Sequence, residues 1–298
     1  MGKDSDIVYT CNNVDIRKIK MKDLECVKQL GQGSYGIVML YKNTITKKQF
    51  AVKFLGIKKS ITNKNLKNIQ HEIYVLNKMK ISDKECHPNL LCIDSYGRID
   101  NYIYIISEYI DGITLTDYIE YLKNKKKLLH IDKFLYITEQ LFNGLKFLHS
   151  KQIGHSDIKP DNIMINPKTL QVKIIDPGLA CSKLLPCGAS GSPMYMAPEM
   201  LDSFNDIEVY PTNVKKADIF SLGYTLYILF NRGKYPLVSI FNTKCTIQYY
   251  NAESIKLDSG YPELNYIIDN MLQSNYTKRW GVIKCVKELA KLKNIKFK

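Results

Sequence analysis

Apolar and polar positions first fall into a strand rhythm. Residues 26–30, 37–41 and 50–55 alternate with period two and are separated by a glycine-rich turn and a polar turn at 43–48, which predicts a β meander. A helical stretch follows, with Leu66, Ile69, Ile73 and Leu76 spaced 3, 4 and 3 residues apart on one face. Two more strands are predicted at 91–96 and 102–106, before a short loop at Asp111 and Gly112. Beyond Leu115 the pattern turns helical. Residues 131–150 form a long amphipathic segment, a small hairpin is expected at 163–175, and helices dominate from Ala217 onward.

This order is an α+β arrangement, a small antiparallel sheet carrying one helix and then a larger, mostly helical region. The predicted divisions are an extension at 1–23, a first domain at 24–110 and a second at 111–298, with no internal repeat and no long linker. The longest apolar run, 219–230, has 12 residues and is interrupted by Ser and Gly, too short to span a bilayer. The first residues are charged and carry no apolar leader.

The chain has 298 residues and a formal charge of +14, from 43 Lys and Arg against 29 Asp and Glu. Only four of the 43 are arginine, whereas base-edge and bidentate phosphate recognition favour the guanidinium fork. The excess therefore predicts a solvated basic surface and no specific nucleic-acid partner, and the lysine run at 123–127 is read as an exposed face. Eight cysteines form no C-x-x-C pair and no zinc-like cluster with histidine, so reduced, intracellular thiols are expected.

The turn between the first two strands reads Gly31-Gln-Gly33-Ser34-Tyr-Gly36-Ile-Val38, a G-x-G-x-x-G pattern that two kinds of loop share. In a dinucleotide fold the glycines open a helix, and an acid about 20 residues on holds a ribose. Here a strand follows, and no Asp or Glu occurs between Glu25 and Glu72. What remains is a hairpin whose glycines expose backbone N–H groups to phosphates. Ala51 and Lys53 face one side of the next strand, so an adenine ring can lie on Ala51 and Val38 while Lys53 reaches the phosphates. Glu72, on the predicted helix, is the carboxylate that can fix that ammonium.

At His155-Ser156-Asp157-Ile158-Lys159-Pro160-Asp161-Asn162 a polar loop leads into the small hairpin, whose other strand ends at Asp176. Hairpin ends meet, so the Asn162 amide oxygen and the Asp176 carboxylate converge as ligands for a hard cation such as Mg²⁺. Asp157 can accept a hydrogen bond from a substrate hydroxyl, and Lys159 can offset charge on a transferred group. These residues resemble the catalytic loop of eukaryotic serine/threonine protein kinases, and the resemblance covers roughly 24–290 in the expected order.

The resemblance implies a two-lobed fold that uses ATP and Mg²⁺ to phosphorylate Ser or Thr of protein substrates. It implies Asp157 as base or positioning group, Asn162 and Asp176 as metal ligands, and Lys53 on the α and β phosphates with Glu72 as partner. It makes Ser107 the residue before the hinge and the backbones of Glu108 and Ile110 the groups that meet the adenine edge. Gly191 to Glu199 looks like the end of an activation segment, with Glu199 paired to Arg279, and 218–223 looks like the helix that anchors the catalytic loop.

Two motifs depart from the family. His-Arg-Asp is His155-Ser156-Asp157, so the cation that reads a phosphorylated activation loop is missing. Asp-Phe-Gly is Asp176-Pro177-Gly178, which removes an aromatic ring but keeps the carboxylate. The alternative they leave open is a pseudokinase that binds nucleotide or a partner without phosphoryl transfer.

Overall fold

The computed structural model describes residues 10–11, 14–15, 21–33, 36–56, 63–99, 102–182, 191–202, 211–234 and 257–293. Ser34 lies outside them. The chain divides into two compact units, 1–73 with 92–110, and 74–91 with 111–298.

The first unit is built on strands β1 (Leu24–Gly33), β2 (Gly36–Asn43) and β3 (Gln49–Gly56), followed by helix α1 (Asn63–Lys78), β4 (Ile93–Ile99) and β5 (Tyr102–Glu108). The division between units runs through α1. The five strands form one antiparallel sheet in the order β1-β2-β3-β5-β4. Its period-two alternation sends Met39, Tyr41, Phe50, Val52, Phe54, Tyr102 and Ile106 into one core, with Phe54 edge-on to Tyr102 at 6.4 Å. The opposite face of β3 is only half-buried and carries Ala51 and Lys53. The strand expected at 91–96 starts later, because the Leu91 N–H donates to the Ile174 carbonyl at 3.0 Å and belongs to the second unit.

The second unit contains α2 (Leu115–Asn124), α3 (Ile131–Ser150), the hairpin β6 (Ile163–Ile165) and β7 (Val172–Ile174), and helices α4 (Pro198–Asp202), α5 (Pro211–Phe230), α6 (Pro262–Met271) and α7 (Val282–Lys293). Helix α3 is its axis. Phe134, Ile137, Leu141, Phe142 and Leu145 are all but fully buried, and α3 packs on α5, α7 and β7. Phe134 meets Phe230 edge-on at 5.2 Å. The hairpin is fastened from beneath by Asn89, whose Nδ2 donates to Gln140 Oε1 at 3.2 Å and to the Val172 carbonyl at 3.1 Å.

Three features escaped the sequence reading. Helix α2 opens on Thr114, which accepts from the Asp117 N–H at 3.1 Å in an ordinary N-cap. A short hairpin occupies 80–86. Helix α5 begins six residues before Ala217, at Pro211, where a proline's missing N–H costs nothing. The cysteines also correct an expectation: Cys86, Cys92 and Cys181 are disulfide-bonded, while Cys285 is a free thiol. Spacing along the chain does not reveal which sulfurs the fold brings together. Burial pushes the Cys285 thiol up to about 12, so it stays neutral and inert.

Candidate active site

In the first unit the glycine turn is closed by pairing of Gly31 with Val38 and of Gly33 with Gly36. The glycines serve different ends. A Cβ on Gly36 would stand 2.1 Å from the Phe54 carbonyl oxygen, so close packing of β2 on β3 excludes any side chain there. A Cβ on Gly31 would meet nothing within 4 Å among the described residues, so no packing demand from them explains that glycine.

Val38 is opposite Lys53 in the sheet, and Ala51 is opposite Ser107. Lys53 Nζ lies 2.7 Å from Glu72 Oε1, a contact that joins β3 to α1. Beside it, burial holds His71 below the ordinary imidazole value, so this residue adds no charge near neutral pH. At the end of β5, Glu108 is fixed through both its groups: its N–H donates to the Cys92 carbonyl at 2.9 Å, and its Oε1 accepts from the Cys92 N–H at 2.9 Å. Ser107, buried, donates from Oγ to the Ala51 carbonyl at 3.3 Å. Ile110 follows just beyond the strand.

In the second unit Asp157 is the hub. Its Oδ1 accepts from the Ser192 N–H at 2.9 Å; its Oδ2 accepts from Asn162 Nδ2 at 2.9 Å and lies 2.9 Å from Lys159 Nζ. Lys159 also donates to Ser192 Oγ at 2.6 Å. A carboxylate offers about four acceptor positions, and the described residues fill three of them. Gly191 lets the Ser192 segment come this near, since a Cβ there would stand 2.5 Å from the Ser156 carbonyl oxygen.

Asn162 is buried, and both its amide hydrogens go to Asp157, one to the backbone carbonyl at 2.8 Å and one to the carboxylate. Its amide oxygen is thereby turned away from Asp157. The Ile175 N–H donates to the Asn162 carbonyl at 2.9 Å, so the hairpin register brings Asp176, the next residue, to the same end as Asn162. Asp176 sits at φ 54, in the left-handed region that Asp tolerates better than most residues. Among the described residues no group of three His, Cys, Asp or Glu stands together as a metal cage. One carboxylate plus one amide oxygen fits Mg²⁺, which takes few protein ligands and completes its shell with phosphate and water.

The loop is held by Asp218 of α5, almost fully buried, which the sequence reading placed only as part of an anchoring helix. Its Oδ2 accepts from the His155 N–H and from His149 Nε2, each at 2.8 Å, and its Oδ1 accepts from the Ser156 N–H at 2.9 Å. His155 Nε2 lies 2.9 Å from the Ile175 carbonyl and its Nδ1 accepts from the Asp157 N–H at 3.4 Å, which assigns the proton to Nε2. This ring ties the loop to the strand end that carries Asp176. Further off, Glu199 and Arg279 form a two-pronged pair at 2.5 and 2.9 Å, with the guanidinium 1% exposed.

A family model described as the protein kinase domain matches residues 24–289. The chain is 30% identical over 273 residues to serine/threonine-protein kinase ULK3 of Xenopus laevis, covering 89% of this chain and 54% of that protein. It is 29% identical over 273 residues to a putative serine/threonine-protein kinase of Acanthamoeba polyphaga mimivirus, covering 87% and 90%. A probable serine/threonine-protein kinase of Dictyostelium discoideum, fhkA, is 30% identical over 251 residues, covering 74% and 40%. The chain thus spans about half the length of the frog relative, less of the amoebal one and most of the viral one. It belongs to the protein kinase family, of the eukaryotic serine/threonine type. No helix among the described residues is long and apolar enough to cross a membrane.

Proposed function

We propose that the protein transfers the γ-phosphate of ATP to Ser or Thr hydroxyls of protein substrates in a Mg²⁺-dependent reaction. The observation that carries the reading is Asp157, oriented from three sides by Asn162, Lys159 and Ser192. Its carboxylate accepts a hydrogen bond from the substrate hydroxyl and turns that oxygen toward the γ-phosphorus. As the new O–P bond forms and the bond to the β–γ bridging oxygen breaks, the hydroxyl proton passes to Asp157 and ADP leaves.

Lys159 offsets charge on the transferred group, while Lys53, braced by Glu72, holds the α and β phosphates. The backbones of Gly31, Gly33, Ser34 and Gly36 cover the phosphates; Val38 and Ala51 hold the adenine face, and Glu108 and Ile110 meet its edge. Mg²⁺, when bound, neutralises phosphate charge, and Asn162 and Asp176 are the residues to hold it.

The test is ³²P transfer from ATP with Mg²⁺ to a mixed Ser/Thr protein substrate, comparing the full chain with Asp157→Asn and Asp176→Asn. Transfer by the parent alone is the expected result. Silence of the parent with nucleotide binding intact would replace this reading by the pseudokinase, with Ser156 and Pro177 the first residues to revert.

A further inference from the structure

The lysine run after α2 plays no part in phosphoryl transfer, and its geometry is specific. The Lys126 N–H donates to the Lys123 carbonyl at 3.0 Å and the Lys127 N–H to the Leu122 carbonyl at 3.0 Å, closing the helix in a Schellman turn. The residue that turns the chain, Lys126, has φ 52, a conformation glycine adopts freely and lysine reluctantly. Residues 123–128 are all exposed, while the neighbours Leu122 and Leu129 are buried and pin the corner at both ends.

Lys123, Lys125, Lys126 and Lys127 make no ion pair among the described residues, whereas Lys284 and Lys291 share Glu288 and Lys293 meets Glu139. Leu128 is 74% exposed at the tip, and Tyr121, one turn before Lys125, is 44% exposed. Offsetting the helix dipole accounts for a cation in the last turn. It accounts neither for lysines past the end of the helix nor for a leucine held in water beside them.

We propose that this corner docks on an anionic lipid surface. Four ammonium groups are point charges suited to the diffuse field of a headgroup layer, and they lack the guanidinium fork that reads nucleic-acid phosphates and base edges. The exposed leucine and tyrosine sit where the headgroups give way to acyl chains. Contact of this size is reversible, and it brings the kinase to substrates at that surface.

Vesicle sedimentation of the full chain tests it, using phosphatidylcholine alone and phosphatidylcholine mixed with phosphatidylserine. Binding is expected only to the mixed vesicles. Replacing Lys123, Lys125, Lys126 and Lys127 together by Gln weakens it about a thousandfold, and Leu128→Ser weakens it about fivefold. A matched variant with Lys22, Lys28, Lys67 and Lys84, which are exposed and scattered along the chain outside this corner, changed to Gln stays within about twofold of the parent. Equal loss in both quadruple variants would show that overall charge and not this corner drives binding. That result, no binding, equal binding to neutral vesicles, or tighter binding of the same lysines to duplex DNA, overturns the proposal.

Discussion

Two ion pairs, one in each unit, differ in the cation that each one holds. Arg279 spends all five N–H groups: Nε on the Gln273 carbonyl, Nη1 on Glu199 and the Lys216 carbonyl, and Nη2 on Glu199 and the Ser274 carbonyl. Its guanidinium also lies 5.0 Å over the Phe220 ring. Lys216, whose ammonium donates to the Arg279 carbonyl, is held below the usual lysine value by burial and by the neighbouring guanidinium. A fork so saturated has nothing to offer a ligand. Lys53 instead meets Glu72 at 2.7 Å on a half-open strand face, a compact ammonium on a flexible stem in place of a rigid fork.

The comparison breaks most sharply on substitution. Arg279→Ala takes the guanidinium donors away from Glu199 and three carbonyls, and removing one partner of a buried pair costs about 3 to 5 kcal/mol. For a chain of this size that lowers the melting temperature by about 10 °C, read by differential scanning calorimetry. Lys53→Met is expected to cost about 1 to 2 kcal/mol but to cut kcat/KM about 100- to 1000-fold. Equal destabilisation by both variants would show that Lys53 is a structural brace.

The glycines of the first unit sharpen the same distinction at smaller scale. Gly36→Ala forces a methyl group into the Phe54 carbonyl and is expected to destabilise by about 2 to 3 kcal/mol. Gly31→Ala puts a methyl group where no described residue stands within 4 Å, so its stability is expected to stay within about 1 kcal/mol of the parent. Its KM for ATP is expected to rise severalfold, because the methyl group occupies the space over the turn. Urea melts and ATP titrations of the two variants separate the roles. A Gly31→Ala enzyme with unchanged KM would remove that glycine from the nucleotide site.

What could be read ahead of the structure follows from range along the chain. The glycine turn, the strand carrying Ala51 and Lys53, and the loop from His155 to Asn162 are local patterns, and sequence spacing alone puts their groups on one face or at one hairpin end. Glu199 and Arg279 are 80 residues apart, and only resemblance to a family coupled them. The three hydrogen bonds that Asp218 accepts from the loop and α3 carry no periodic signature, because a buried carboxylate on a helix looks like any interruption of an apolar run. The Thr114 cap of α2 was there to be read, since a Thr with Asp three residues on is a start signal.

The smallest expected effect concerns the position where the family has arginine. Ser156 stands at φ 68, and its Oγ lies 2.9 Å from Cys181 Sγ. That sulfur is disulfide-bonded and has no proton, so the hydroxyl is the donor. Next to it, Gly154 and Cys181 exchange backbone hydrogen bonds at 3.0 and 2.8 Å, so the start of the activation segment is tied to the catalytic loop by neutral contacts. Ser156 itself supplies no cation to partner a phosphorylated segment. Phosphatase treatment of the purified chain is therefore expected to leave its kinase activity unchanged within about twofold. Loss of activity on dephosphorylation, restored by a second kinase, would mean that another cation reads the segment, and Ser156 would cease to mark a difference in regulation from relatives with arginine there.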